Sequence, residues 1–288
     1  MRKLFTLLLI NVLILQYASA QYFEAGLFGG TSNYVGDLTT SIPEGPEYKP
    51  AYGAFVRYNY NRFAAKLHFY KGDVGGADFY STEASGRRKR NLSFDSPIYE
   101  AGFQLEFNLF PYKIWATRNA STPYLFAGFS GFYFNPSAVL GGVRYELQPL
   151  GTEGQNLPGY QAPYSLYSYA IPMGGGIRLS LTRQINVGAE LGLRMTFTDY
   201  IDDVSGFYPD LQQLTEADPI AARLSYRSPE YDAIYFISDP SGERRGSPAV
   251  NDYYLFAGLT ISYNFGITSD FAERKRAPKA KGKPQMEF

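Results

Sequence analysis

The stretch Ile185-Asn186-Val187-Gly188-Ala189-Glu190-Leu191-Gly192-Leu193-Arg194-Met195-Thr196-Phe197-Thr198 sorts its side chains into two sets. Ile185, Val187, Ala189, Leu191, Leu193, Met195 and Phe197 are all apolar. Asn186, Glu190, Arg194, Thr196 and Thr198, with Gly188 and Gly192 between them, are polar or small. A period of two is that of an extended strand, whose successive side chains point to opposite faces. Segments of about ten residues with this two-faced pattern are the length of a bilayer-crossing strand.

The pattern recurs along the chain. In 99–109, Tyr99, Ala101, Phe103, Leu105, Phe107 and Leu109 alternate with Glu100, Gly102, Gln104, Glu106 and Asn108. The last such segment places Tyr253, Leu255, Ala257, Leu259, Ile261, Tyr263 and Phe265 on one face, and 170–181 puts Ile171, Met173, Ile177 and Leu179 outward. Weaker segments span 22–32, 51–61, 63–71 and 124–135, the last with aromatics on both faces and therefore no fixed register. Glycines inside strands weaken them in general; here they read as room for inward neighbours or for barrel curvature.

The gaps between segments alternate in length. Those at 61–62, 111–123 and 182–184 are shorter, whereas 35–50, 72–91, 136–165 and 200–251 are long. Short turns at one end and long loops at the other are the rule for outer-membrane barrels, and an even strand count returns both chain ends to the periplasm. The fold expected is all-β: an eight-stranded antiparallel transmembrane β-barrel over 21–266.

The flanks differ in kind. Residues 1–20 have Arg2 and Lys3, an apolar run from Leu4 to Leu15 and Ala18-Ser19-Ala20, the layout of a cleavable export signal. Residues 267–288 form a basic tail with Arg274, Lys275, Arg276, Lys279, Lys281 and Lys283, expected to be flexible alone and to offer a periplasmic partner contact.

Composition agrees with a barrel. Tyr (26), Phe (22) and Gly (29) are abundant, yet mean hydropathy is −0.25, because apolar residues occupy only alternate positions. With no cysteine there is no disulfide, thiolate metal site or lipid-modified cysteine. Zero net charge supplies no field to gather nucleic acid.

Strand parity directs eight charges inward: Glu24, Glu100, Glu106 and Glu190 with Arg57, Lys66, Arg178 and Arg194. An eight-stranded barrel is wide enough only for its own side chains. A balanced set in that space predicts an ion-paired plug, since unpaired buried charges are costly; a narrow pore or proton path is the alternative. His68, the one histidine, also points inward, and a single imidazole without cysteine assembles neither a triad nor a zinc centre. No catalytic residue, cofactor or metal is expected. Asp199, Asp202 and Asp203 lack the spacing of a calcium loop and read as a turn. Arg87, Arg88, Lys89 and Arg90 form a basic run suited either to lipopolysaccharide phosphates or to solvent. The motifs beginning at Asn91 and Asn119 match glycosylation acceptors, a short and frequent signal.

Several stretches together resemble the PorG-type outer-membrane family of Bacteroidetes: GGTSNYVGDL at 29–38, RNLSF at 90–94, QLEFNLFPY at 104–112, PLGTEGQ at 149–155 and the segment 198–206. The resemblance runs from about 22 to 266. It implies a non-enzymatic component of the type IX secretion system, associated with periplasmic ring proteins of the PorK/PorN (GldK/GldN) type. The expected function is to anchor or organise that ring from the outer membrane. A surface adhesion or lipopolysaccharide-binding barrel using its long loops is the alternative. A lipid-acting enzyme would need a nucleophile–base pair at the outer rim, and none is visible.

Overall fold

In the computed structural model, residues 21–39, 48–81, 86–112, 120–235, 237 and 239–265 are described. The export signal, the basic tail, Asn119 and most of the 111–123 turn lie outside them.

Eight strands form a closed antiparallel barrel: β1 (Gln21–Val35), β2 (Lys49–Tyr60), β3 (Phe63–Ala77), β4 (Ser93–Asn108), β5 (Ser121–Phe134), β8 (Tyr167–Ser180), β9 (Ile185–Thr196) and β10 (Tyr253–Phe265). The order β3-β2-β1-β10-β9-β8-β5-β4 is completed by the β3–β4 pairing, so no edge remains in the ring. β1 pairs with β10, and the barrel strands at both chain ends leave at the end that carries the short turns. Asn61, at φ 54°, makes the tight β2–β3 turn possible, since Asn tolerates the left-handed region better than most residues.

The inside–outside assignment follows the sequence alternation. Every barrel strand presents an exposed aliphatic side chain near mid-height: Leu27, Val56, Leu67, Leu105, Leu125, Ile177, Leu191 and Leu259, with Leu259 68% exposed and Leu191 58%. Such residues encircle the wall, an apolar area far beyond what a soluble monomer exposes. Aromatics flank them on both sides. Phe23, Tyr60, Phe63, Phe107, Tyr263 and Phe265 lie toward the turn end, and Tyr52, Tyr99, Tyr167 and Tyr169 toward the loop end. Two aromatic girdles around an aliphatic band are what a bilayer-facing barrel wall carries. No described helix is long and apolar enough to cross a membrane, which has no bearing on a barrel.

The structure departs from expectation in three places. First, β5 has a definite register: Tyr124, Phe126, Phe132 and Phe134 are buried inside, while Leu125 and Phe129 face out. Second, β3 and β4 continue past the expected strand ends to Ala77 and back to Ser93, beyond the apolar alternation. Third, the long loops, read from the sequence only by their length, carry secondary structure of their own. Residues 136–165 contain a hairpin, β6 (Ser137–Leu140) and β7 (Val143–Glu146), tied to β4 by the Asp95–Ser137 bridge. Residues 200–251 contain short helices at Leu211–Ala217, Pro219–Ser225 and Ser228–Tyr231. Asp210 and Asp218 cap the first two, accepting from the amides of Gln213, Ile220 and Ala221.

These loop elements close the loop end. Leu38, Ile201, Val204 and Leu224 pack onto a layer of Phe28, Tyr70, Phe132, Tyr254 and Phe256 inside the barrel. Leu255, expected to face outward, is buried at this end of β10.

Candidate functional site

The eight inward charges from the sequence all lie buried in the lumen. Toward the turn end, Arg57 bridges Glu24 (3.1 Å) and Glu106 (2.9 Å through Nε). Arg178 donates to the same Glu106, and Lys66 Nζ lies 2.6 Å from Glu190 and 3.7 Å from Glu106. Glu24 also accepts from Asn59, Ser262 and Asn186, so its lone pairs are filled. Tyr124 donates to Glu190 at 2.8 Å, and its ring lies 4.2 Å below the Arg178 guanidinium.

A second set sits nearer the loop end. Arg194 forks onto both oxygens of Glu100 (3.2 and 3.3 Å), which also accepts from Tyr254 (2.6 Å) and pairs with His68 Nε2 (2.7 Å). His68 is therefore held by a carboxylate within the lumen. Tyr70 stands between the two sets: its hydroxyl accepts from Lys66 Nζ at 3.4 Å, and its ring centroid lies 4.7 Å from that of His68. At the turn end Tyr112 donates to Asn186 at 3.0 Å.

Glycines make this filling possible. A Cβ at Gly192 would come within 2.5 Å of Arg194 Nη1 and 2.7 Å of Phe126 Cζ, and one at Gly102 within 2.8 Å of His68 Cε1. The lumen is filled by paired charges and aromatic rings, and folded loops cover its loop-end mouth.

The loop-end cap holds a separate polar cluster. Arg90 does not reach outward as its basic run suggested. It is drawn into the cap, where Nε and Nη2 fork onto Asp78 at 2.8 and 2.7 Å and Nη2 also donates to the Asp37 carbonyl. Arg245 pairs with Glu153 (2.9 Å) and lies 3.5 Å from Asp203. Glu153 accepts the amides of Ser205 and Gly206.

Asp202 accepts the Val204 amide, the turn role expected of it, but it is only 1% exposed. Burial pushes the Asp203 carboxyl up to about 6, although Arg245, Thr152 and Tyr164 favour its charged form. Burial, with Asp37 and Glu153 nearby, pushes Asp199 up to about 7. No group of acids or histidine among the described residues is arranged to hold a metal ion.

Sequence parity therefore placed the lumen set. It missed Tyr34, Asp78, Glu153, Arg245 and Asp252, which meet only because distant loops fold together. Arg274, Lys275, Arg276, Lys279, Lys281 and Lys283 lie outside the described residues.

A family model described as "Domain of unknown function (DUF6089)" matches residues 2–217. The chain belongs to the DUF6089 family. That match covers the first seven barrel strands and much of the cap. No curated protein matches the sequence. Three solved barrels are similar in structure. Neisserial surface protein A has a TM-score of 0.40 at 11% identity, covering 86% of this chain and 98% of that one. Ail of Yersinia pestis, solved with the heparin analogue sucrose octasulfate, has 0.39 at 8%, covering 85% and 99%. The N-terminal β-barrel domain of Pseudomonas aeruginosa OprF has 0.34 at 11%, covering 85% and 97%.

Proposed function

We propose that this DUF6089 member is an outer-membrane barrel that performs no reaction of its own and anchors a type IX secretion assembly at its periplasmic face. The observation that carries the membrane and scaffold reading is the pairing of a continuous apolar belt with a lumen filled by ion pairs. The belt demands lipid, and the plug leaves the protein's surfaces as the means of action. The secretion role rests on the PorG-type sequence stretches. The docking surface in this reading is the turn end, where both barrel termini emerge and where the basic tail begins. Its partners are ring proteins of the PorK/PorN type, and a run of cations complements an acidic surface.

Deleting residues 272–288 is expected to lower recovery of the ring proteins when the barrel is purified from native membranes, with barrel abundance unchanged. Equal recovery removes the tail from the docking mechanism. Recovery of no ring protein by the intact chain refutes the secretion role altogether.

A second reading, adhesion or lipopolysaccharide contact by the loop end, is favoured by apolar residues on the cap that no lipid belt explains. Ile234 is 78% exposed, and Phe207 and Val250 are also exposed. Replacing the 207–250 loop distinguishes the two: lost surface binding with intact secretion supports adhesion, and the reverse supports the anchor.

A further inference from the structure

The end of β1 and the two ends of the β9–β10 connection meet over the loop-end mouth on one hydroxyl. Tyr34, at the end of β1, is completely buried, and its Oη lies 2.5 Å from Asp202 Oδ2 and 2.9 Å from Asp252 Oδ1. Asp202 belongs to the turn after β9, and Asp252 directly precedes β10. Each carboxyl uses its other oxygen to accept a backbone amide: Val204 to Asp202 and Ile201 to Asp252, both at 2.9 Å.

A phenol hydroxyl carries one hydrogen. It can donate to one of these carboxyls, and the other short contact then requires a hydrogen from the second carboxyl. Two ionised carboxylates would place a lone pair against the Tyr34 oxygen in a site without water access. Both aspartates are buried, at 1% and 0% exposure.

The surrounding charges do not relieve this. From the turn that follows β1, Asp37 faces Asp202, and from the segment after β9, Asp199 faces Asp252; both are acidic. Glu153 and Asp203, from neighbouring loops, are matched by Arg245. Arg90 lies toward Asp202, but both arms of its fork are taken by Asp78. Arg244 lies toward Asp37 and donates to the Gly246 carbonyl and Ser247. Among the described residues, no cation pairs directly with Asp202 or Asp252.

We propose that Tyr34, Asp202 and Asp252 form a proton-dependent latch: one carboxyl proton, shared through the tyrosine, holds the 199–206 segment closed over the barrel mouth, and its loss releases that segment. Burial raises both carboxyls well above the ordinary aspartate value, and each is raised further by an acidic neighbour. The sign follows. A carboxyl that is easier to protonate folded than unfolded stabilises the closed cap at acid pH and loses that contribution as pH rises through its folded value. Asp203 and Asp199, at about 6 and about 7, act in the same direction at lower pH. Gly36 shows how tightly the latch is built, since a Cβ there would lie 2.0 Å from both Asp252 Oδ1 and Tyr34 Oη.

The test uses the full chain in liposomes. Infrared difference spectra across a pH titration read the C=O stretch of buried protonated carboxyl groups, and limited proteolysis reads exposure of 199–206. The wild type is expected to carry a protonated-carboxyl band at neutral pH that titrates away at alkaline pH, with cleavage rising several-fold in parallel. Asp252→Asn places an amide donor where the acid proton sat, so it should delete the part of that band that persists above the titration of Asp199 and Asp203, and keep cleavage low at every pH. Asp202→Asn should do the same, while the double variant leaves the Tyr34 hydrogen without an acceptor and should be open throughout. Absence of the band in wild type at neutral pH overturns the latch without needing any variant. A pH-dependent rise in cleavage that persists unchanged in both single variants also overturns it.

Discussion

Replacing Glu106 with Gln is expected to lower the unfolding free energy of the barrel by about 3–5 kcal/mol. Glu106 is the shared acid of the turn-end network, contacting Arg57, Arg178 and Lys66. Removing its charge leaves three buried cations to divide Glu24 and Glu190. Glutamine retains an acceptor oxygen, so the effect isolates charge from shape. Adding Arg178→Leu to the variant should restore part of the loss, because it removes a cation that has lost its partner. Urea titrations in liposomes, followed by the mobility difference between folded and unfolded barrel on gels, measure both. A loss under about 1 kcal/mol, the scale of a solvated ion pair, would mean that water fills the lumen.

Leu191→Arg should cost about 2–4 kcal/mol in the same assay, because Leu191 sits in the aliphatic band on the outer wall. An arginine replacing Phe265, at the turn-end rim, should cost only about 0–1 kcal/mol. The contrast between the two depths is the signature of lipid, whereas an aqueous outer wall would tolerate both equally. Gly192→Ala is the adjacent control on the inner face. It acts by crowding Arg194 and Phe126, so its cost should be the same in thin and thick bilayers.

The parts of this molecule that were legible in its sequence are those governed by a local period. In β9, Glu190 and Arg194 lie four residues apart with apolar residues at every odd position, so one face could be assigned without knowing its neighbours. The same parity brought Glu24, Arg57, Glu106 and Arg178 to one place, although they come from four strands.

β5 resisted because its inner face is as aromatic as its outer face. Phe126 fills space left by Gly192 and Gly174 on neighbouring strands, information that lies elsewhere in the chain. The loop-end extension of β3 through Gly75 and Gly76 has no apolar alternation to announce it, because it stands where the cap, and not lipid, covers the wall.

Some loop structure has local sequence signals. Gly141-Gly142 between two short β-prone runs is a hairpin signature, and Asp218-Pro219 is a helix start. The latch had no such mark. Tyr34, Asp202 and Asp252 are separated by 168 and 50 residues along the chain (202 − 34 and 252 − 202), and only tertiary folding gives them a common hydrogen.

The central claim is that the apolar wall meets lipid around the entire ring while the lumen stays shut. The natural absence of cysteine makes it directly measurable. Nitroxide labels on single cysteines placed at Leu27, Leu67, Leu105, Leu125, Ile177, Leu191 and Leu259 report collisions with membrane-soluble oxygen and with a water-soluble nickel chelate. The account predicts high oxygen and low nickel access at every one of these positions in liposomes; nickel reaching any continuous set of strands would contradict it.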